Sequence, residues 1–130
     1  RYTDVSTAGI KLIVEVDPGI VDFYRSLIPP WYPQLNRQKY APHISVVRKE
    51  IPPNMEFWGK YEGEVVEFKY ENVVQNGTVY WWLNCFCKRL EEIRLELGLP
   101  VDSPYTLPPE GFEKCFHMSL GNTKSHPGQP

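Results

Sequence analysis

The stretches Pro42-His43-Ile44-Ser45-Val46 and Phe116-His117-Met118-Ser119-Leu120 are near copies of each other. Each reads apolar residue or proline, histidine, apolar residue, serine, apolar residue, and together they contain two of the three histidines in the chain. This alternation predicts a β-strand, on which side chains two positions apart share one face. We therefore expect each histidine to share a strand face with the serine that follows it, with their Cα atoms roughly 7 Å apart.

Two imidazoles and two hydroxyls are sufficient groups for breaking a phosphodiester without a metal ion. A neutral imidazole takes the proton of the attacking group, and a protonated imidazole gives a proton to the leaving oxygen. The hydroxyls donate hydrogen bonds to the non-bridging oxygens, where negative charge builds. The sequence leaves open which histidine is the base, and the competing interpretation of each motif is a strand with a structural histidine. Because the pattern occurs twice, we predict four catalytic residues: His43, Ser45, His117 and Ser119.

Composition restricts the class of protein and its partners. The chain has 130 residues, of which 42% are hydrophobic and 23% are charged, and these fractions are typical of one globular domain. No apolar stretch reaches the ~20 residues of a membrane span. The net charge of −2 argues against a partner that is long duplex nucleic acid but permits a small anionic ligand in a local pocket. We expect a monomer or weak oligomer.

The three cysteines, Cys85, Cys87 and Cys115, predict a reducing compartment, which we take to be the cytoplasm. Their odd number and irregular spacing do not fit a disulfide framework. The sequence Cys85-Phe86-Cys87 lacks a second pair or a nearby histidine to complete a metal site. We therefore predict buried thiols, no metal and no cofactor.

Elements of secondary structure occur in a repeated order of strand, helix, loop and histidine strand, with a spacing of about 74 residues between the two copies. Asp17 and Pro18 predict the start of the first helix, and Gly98 predicts the end of the second. The predicted elements are a strand at 10–16, a helix from Pro18 that stops before Pro29, a strand at 43–48, a short helical turn within 55–60, a hairpin with strands 64–74 and 78–86 joined by an Asn76-Gly77 turn, and a helix at 88–97.

The domain is expected to cover residues 1–121, and a polar tail is expected at 122–130. The third histidine, His126, lies in this tail, where we expect it to be exposed to solvent. Trp81 and Trp82 are neighbours on a predicted strand and must face opposite ways, so one would lie in the core and the other along a groove.

The two motifs resemble those of the two-histidine (2H) phosphoesterase superfamily, whose signature is a repeated histidine, any residue, serine or threonine. The stretches His43-Ile44-Ser45-Val46-Val47 and His117-Met118-Ser119-Leu120 match its two halves. This resemblance implies an α+β, bilobed fold with two pseudo-symmetric antiparallel-sheet lobes, outer helices and a central groove.

The same resemblance implies a metal-independent phosphodiesterase of nucleotides. Members act on 2′,3′-cyclic phosphate ends of RNA, on ADP-ribose cyclic phosphates and on 2′,5′-linked oligoadenylates, and small viral and phage relatives destroy host nucleotide signals such as cyclic dinucleotides. We therefore expect cleavage of a small nucleotide or short oligonucleotide that serves as a signal in host immunity. The alternatives are processing of RNA ends that carry 2′,3′-cyclic phosphates, a non-catalytic nucleotide-binding module, and a β-rich interaction domain.

Candidate binding residues flank the two motifs. Trp31 and Tyr40 lie in a proline-rich loop before the first motif, and Tyr105 lies in a second such loop. Base stacking on an aromatic ring contributes roughly 1–3 kcal/mol, although the same rings would also pack a loop onto the core. Arg48 and Lys114 are the cations nearest the motifs. Strand alternation turns Arg48 away from the first histidine unless the strand bulges or ends.

Overall fold

The computed structural model describes residues 1–5, 9–28, 41–77, 79–103 and 106–122. Within these ranges the fold is α+β, as predicted, with two α-helices and one antiparallel sheet of seven strands. The strands are β1 Tyr2–Val5, β2 Gly9–Glu15, β3 His43–Arg48, β4 Lys69–Tyr70, β5 Gln75–Asn76, β6 Tyr80–Phe86 and β7 Phe116–Asn122, and the helices are α1 Pro18–Ser26 and α2 Lys88–Glu96, with a 3-10 turn at Met55–Phe57.

The strands follow the order β1-β2-β3-β7-β6-β4, and β5 also pairs with β6. The two motif strands, β3 and β7, are therefore neighbours in the middle of one continuous sheet. On one side of them lie strands from the N-terminal half of the chain, and on the other side lie strands from the C-terminal half. The division into two lobes stays a prediction.

The chain repeats one strand–helix–strand unit, first as β2-α1-β3 and then as β6-α2-β7. Both units carry a β-bulge at the same place. The β2–β3 register shifts so that Val46 is the extra residue, and the β6–β7 register shifts so that Leu120 is the extra residue. Each extra residue directly follows a motif serine. This shared irregularity supports the predicted internal duplication.

Local sequence sets the helix ends. Asp17 caps α1 by accepting a hydrogen bond from the backbone N–H of Gly19 at 2.9 Å, and Pro18 occupies the first helical position. Gly98 follows α2 with a φ of +84°, a left-handed conformation that glycine adopts without strain. These ends confirm the predicted helix starts and the predicted stop at Gly98.

The core lies between the helices and one face of the sheet. Each helix contacts the motif strand of the other unit: α1 lies against β7, and α2 lies against β3. Ile44 and Met118 are fully buried at the centre of this core. The other buried apolar side chains of the motif strands are Val46, Val47, Phe116 and Leu120.

Two arginines fix the bulges. Arg94 of α2 donates a hydrogen bond to the Val46 carbonyl oxygen at 2.7 Å, and Arg25 of α1 donates one to the Leu120 carbonyl oxygen at 2.5 Å. A bulge leaves backbone groups outside the regular ladder, and buried carbonyls need a donor. Each helix therefore supplies that donor to the strand of the other unit.

Arg94 is the more buried of the two arginines, with 3% of its surface exposed. Its guanidinium also binds both carboxylate oxygens of Glu50, at 2.7 and 2.9 Å. The hydrogen bonds from Arg94 lower the pKa of Glu50 despite partial burial of that carboxyl group. This bidentate pair ties α2 to the chain that leaves β3.

The hairpin differs from its prediction. The strand predicted at 64–74 is wrong, because only Lys69–Tyr70 and Gln75–Asn76 pair with β6. Turns cover 58–63, and Val66 and Phe68 pack on the core from outside the sheet. The Asn76-Gly77 turn is also displaced, since Asn76 pairs with Trp81 and the Gly77 N–H donates to the carbonyl of Tyr80 at 2.9 Å.

The remaining differences concern the first and last strands along the chain, β1 and β7. Strand β1 was not predicted, because its edge sequence Tyr-Thr-Asp-Val shows little apolar alternation. Asn122, the first residue of the predicted polar tail, belongs to β7 and is 8% exposed.

The thiols of Cys85 and Cys87 are buried, as predicted, and burial raises the pKa of Cys85 to about 12. In the described ranges there is no cluster of three or more potential metal ligands. The same ranges contain no helix with the length and apolar character that crossing a bilayer requires.

Replacing Arg94 with methionine should lower the free energy of unfolding by about 2–4 kcal/mol, because the change removes the donor to a bulge carbonyl and leaves Glu50 unpaired. Urea denaturation measures this loss. The matched control is Arg89→Met, since Arg89 pairs with Glu64 at the surface and should cost about 1 kcal/mol or less. Equal losses in the two variants would contradict the role assigned to Arg94.

Candidate active site

The pairing of β3 with β7 places the two motifs side by side. Ile44 lies opposite Met118. Antiparallel alternation continued from this pair would put His43 opposite Ser119 and Ser45 opposite His117. These last four residues, called the motif tetrad, share the sheet face that points away from the core. The burial pattern agrees, because Ile44 and Met118 are fully buried whereas the tetrad residues are half-buried or exposed.

Within the tetrad the two imidazoles are diagonal neighbours across the strand pair. Diagonal residues on one face of an antiparallel pair lie about 7–8 Å apart, within reach of one small group held between them. The two serines occupy the other diagonal. A tetrahedral anion between the strands would therefore have one imidazole on each side and one hydroxyl on each remaining side.

The orientation of His43 is set by the backbone just before β3. Its Nδ1 atom lies 2.7 Å from the carbonyl oxygen of Ala41. A carbonyl can only accept, so Nδ1 carries the proton and donates this bond. Nε2 is then the atom of His43 that can exchange a proton with a ligand.

His117 has different surroundings. The Trp82 ring lies against its imidazole, with the ring centroids 5.1 Å apart and the planes inclined by 31°. Trp82 donates from Nε1 to Oδ1 of Asn84 at 3.0 Å, and Asn84 donates from Nδ2 to Glu71 at 3.4 Å. Asn84 is 3% exposed and lies opposite His117 in the β6–β7 ladder. These contacts hold the ring from the β6 side.

Desolvation lowers the pKa of His117, and the positive charge of Lys114 lowers it further. Both effects disfavour the imidazolium form. At neutral pH this ring is consequently neutral and able to accept a proton.

Trp82 is the member of the tryptophan pair on the tetrad face, where it lies opposite Ser119, and Trp81 lies in the core with 8% of its surface exposed. Strand alternation predicts opposite faces but not which ring would contact His117. Asn84 and Glu71 were not predicted as site residues. Alternation along β6 was the one available signal, because Asn84 and Trp82 are two positions apart.

Arg48 lies on the tetrad face because β3 bulges. The bulge at Val46 shifts the alternation by one, so that Val46 and Val47 are both buried and Arg48 is exposed. Arg48 lies opposite Lys11 of β2. A bulge is one of the two conditions under which the sequence predicted that Arg48 would face the same way as His43.

Lys114 lies just before β7, with its Nζ atom 5.7 Å from the centre of the Phe116 ring. Burial, and then the charge of Arg94, lowers the pKa of Lys114, and Glu50 is also within electrostatic range. Lys114 therefore lies near the ion pair behind β3, and its part in substrate binding stays a prediction. The predicted stacking residues Trp31, Tyr40 and Tyr105, together with His126, lie outside the described residues.

A cavity of about 370 Å³ lies elsewhere, between β1, β2 and the segment 61–68. Its lining includes Tyr2, Leu12, Tyr61 and Phe68, and no residue of the motif tetrad. Glu62 and Glu64 also line it, so its charge does not favour a phosphate. The motif tetrad therefore lies outside this cavity, on the sheet face that points away from the core.

Comparisons of this chain with protein-family models, with curated proteins and with solved structures give no match.

Nuclear magnetic resonance titration of the imidazoles should show His117 with a pKa below the usual value of about 6.5. In Lys114→Gln this pKa should rise, because a like charge near the ring is removed. Lys60→Gln is the matched control, since Lys60 pairs with Glu96 and should leave the titration of His117 unchanged. A wild-type pKa at or above 6.5 would contradict the partial desolvation of this ring.

Proposed function

We propose that this protein is a metal-independent phosphodiesterase of small nucleotides or short oligonucleotides that acts by two-histidine acid–base catalysis in a bilobed 2H phosphoesterase-like fold. The observation that carries the proposal is the register of β3 and β7. It puts two imidazoles and two hydroxyls on one face, around a single point between the strands.

In the proposed reaction His117 is the base. Its lowered pKa favours the neutral ring, which takes a proton from a water molecule or a ribose 2′-hydroxyl as that oxygen attacks phosphorus. His43, held by Ala41 through Nδ1, gives a proton from Nε2 to the leaving oxygen as the P–O bond breaks. One O–P bond forms and one breaks. One proton moves from the attacking oxygen to His117, and another moves from His43 to the leaving oxygen.

The serines stabilise the charge on phosphorus. Ser45 and Ser119 lie next to the histidines of the opposite strand and donate to the two non-bridging oxygens. Both hydroxyls are fixed on strands, which keeps them at the same distance from the reacting atoms through the reaction.

The substrate class follows from charge and from the motif resemblance. With a net charge of −2, the protein suits a small anionic ligand better than a long polyanion. We propose signalling nucleotides, namely cyclic dinucleotides or 2′,5′-linked oligoadenylates, as substrates. The free buried thiols of Cys85 and Cys87 support action in the cytoplasm.

Turnover in the presence of EDTA tests the proposal. The assay offers a 2′,3′-cyclic nucleotide, a 2′,5′-oligoadenylate and a set of cyclic dinucleotides. His43→Ala and His117→Ala should each lower kcat by about 10²–10⁴-fold, because each removes one proton-transfer group. His126→Ala is the matched control and should retain wild-type activity.

The possible outcomes separate the alternatives. Turnover of the 2′,3′-cyclic nucleotide alone would indicate processing of RNA ends. Binding without turnover would indicate a nucleotide-binding module. Activity that requires an added divalent metal, or that survives both histidine changes, would contradict the mechanism.

The dependence of kcat/KM on pH should be bell-shaped, since one imidazole must be neutral and the other protonated. Activity should fall as pH drops through the lowered pKa of His117, so the acidic limb should lie below about pH 6.5. Lys114→Gln should move this limb upward, because it raises the pKa of the base. A monotonic profile between about pH 5 and 9 would contradict the acid–base pair.

A further inference from the structure

A cationic pair lies beside the motif tetrad at one end of the β3–β7 seam. Lys11 and Arg48 face each other across β2 and β3. The bulge at Val46 places this pair on the same sheet face as Ser45 and His43. A regular strand would have turned Arg48 into the core, so the bulge determines that a positive charge reaches this face.

The guanidinium of Arg48 is available to a ligand. Arg48 is exposed, and in the part of the chain that the structure describes it has no ion-pair or hydrogen-bond partner for its side chain. The nearby carboxylate of Glu50 is held by Arg94 instead. A planar guanidinium with free donors suits bidentate binding of a phosphate.

The other unit lacks this charge at the equivalent position. There the pair that corresponds to Lys11 and Arg48 is Tyr80 and Asn122, which face each other beyond the second bulge. Tyr80 is exposed, and Asn122 is buried. Among the described residues, the pair beyond the bulge is therefore cationic in the first unit and uncharged in the second.

The spacing fits a second phosphate of the same substrate. Because one residue of the bulge is extra, Arg48 lies about two strand positions from Ser45, which is roughly 7 Å along the strand. One nucleotide of an extended chain can span this distance between neighbouring phosphates. A mononucleotide 2′,3′-cyclic phosphate has no second phosphate to place there.

We propose that Lys11 and Arg48 form a subsite for the phosphate next to the scissile one, and that the substrate is an oligonucleotide or cyclic dinucleotide with at least two phosphates. This inference rests on the proposed function, because it takes the tetrad as the site of cleavage. The subsite also orients the substrate, because its second phosphate would lie at the end of the β3–β7 seam where Lys11 and Arg48 face each other.

Binding measurements test the subsite independently of turnover. Isothermal titration calorimetry compares a 2′,5′-linked diadenylate that carries a 5′-phosphate with adenosine 2′,3′-cyclic phosphate. Arg48→Gln and Lys11→Gln should each raise the Kd of the diadenylate by about fivefold or more. The Kd of the cyclic mononucleotide should stay within about twofold of its wild-type value. The dependence of diadenylate Kd on salt concentration should become shallower in each variant, because one screened charge contact is lost.

Lys69→Gln is the charge-matched control. Lys69 is exposed on β4, near Phe112 and away from the seam, so its loss should change neither affinity. Equal weakening of both ligands in Arg48→Gln, no weakening of either, or a wild-type protein that binds neither ligand would overturn the subsite.

Turnover of the same two compounds separates the two proposals. If the variants lose diadenylate affinity selectively but the wild-type protein cleaves nothing, the subsite stands and the phosphodiesterase proposal fails. In the opposite case the wild-type protein cleaves the compounds, and Arg48→Gln and Lys11→Gln cleave them equally fast at low substrate concentration. The phosphodiesterase proposal then stands and the subsite fails.

Discussion

The pairing of Ile44 with Met118 is the contact on which the remaining structure depends. Both side chains are fully buried between the sheet and the helices. A slip of one residue between β3 and β7 would bring the polar tetrad into the core and would expose apolar side chains to water. Burial of one face thus fixes the geometry of the other, and the same free energy that stabilises the fold also sets the positions of the two imidazoles.

The bulges connect this register to the helices. Arg94 reaches from α2 to the bulge of β3, and Arg25 reaches from α1 to the bulge of β7. The hydrogen-bond donor at each bulge therefore comes from the helix of the other strand–helix–strand unit. Within the second unit, the buried carboxylate of Glu91 on α2 accepts from the backbone N–H groups of Glu113 and Lys114 just before β7. The exchange of the arginine contacts between units helps to hold the two motif strands side by side in one sheet.

Sequence patterns predicted the elements whose signals are local. The first motif strand lies at His43–Arg48 as expected, and Asp17 and Gly98 mark helix ends because capping depends on neighbouring residues. The pairing of β3 with β7 depends on contacts between distant residues, and alternation alone supports many strand orders. The false strand at 64–74 has the same origin, because Val66 and Phe68 are partly buried by packing against the core rather than by pairing.

The bulges were also missed, although two consecutive buried valines in the first motif strand were compatible with them. Val46 and Val47 both face the core, and a regular strand could not place both there. In the second copy the same shift is hidden by Gly121, which has no side chain to show which face it takes. The sequence therefore predicted only that Arg48 would share the face of His43 if the strand bulged or ended. The register of β2 with β3 shows the bulge.

The different roles that we propose for the two histidines rest on their neighbours and not on their motifs. The copies have the same residue types at the histidine and serine positions, and the register relates them by an approximate two-fold axis. His117 packs against Trp82 beside the amide of Asn84, whereas His43 donates to a backbone carbonyl. A symmetric pair would leave both rings in the same protonation state at most pH values, which is unproductive for a reaction that needs one of each. Burial of His117 and the nearby charge of Lys114 therefore supply the asymmetry that the proposed acid–base reaction requires.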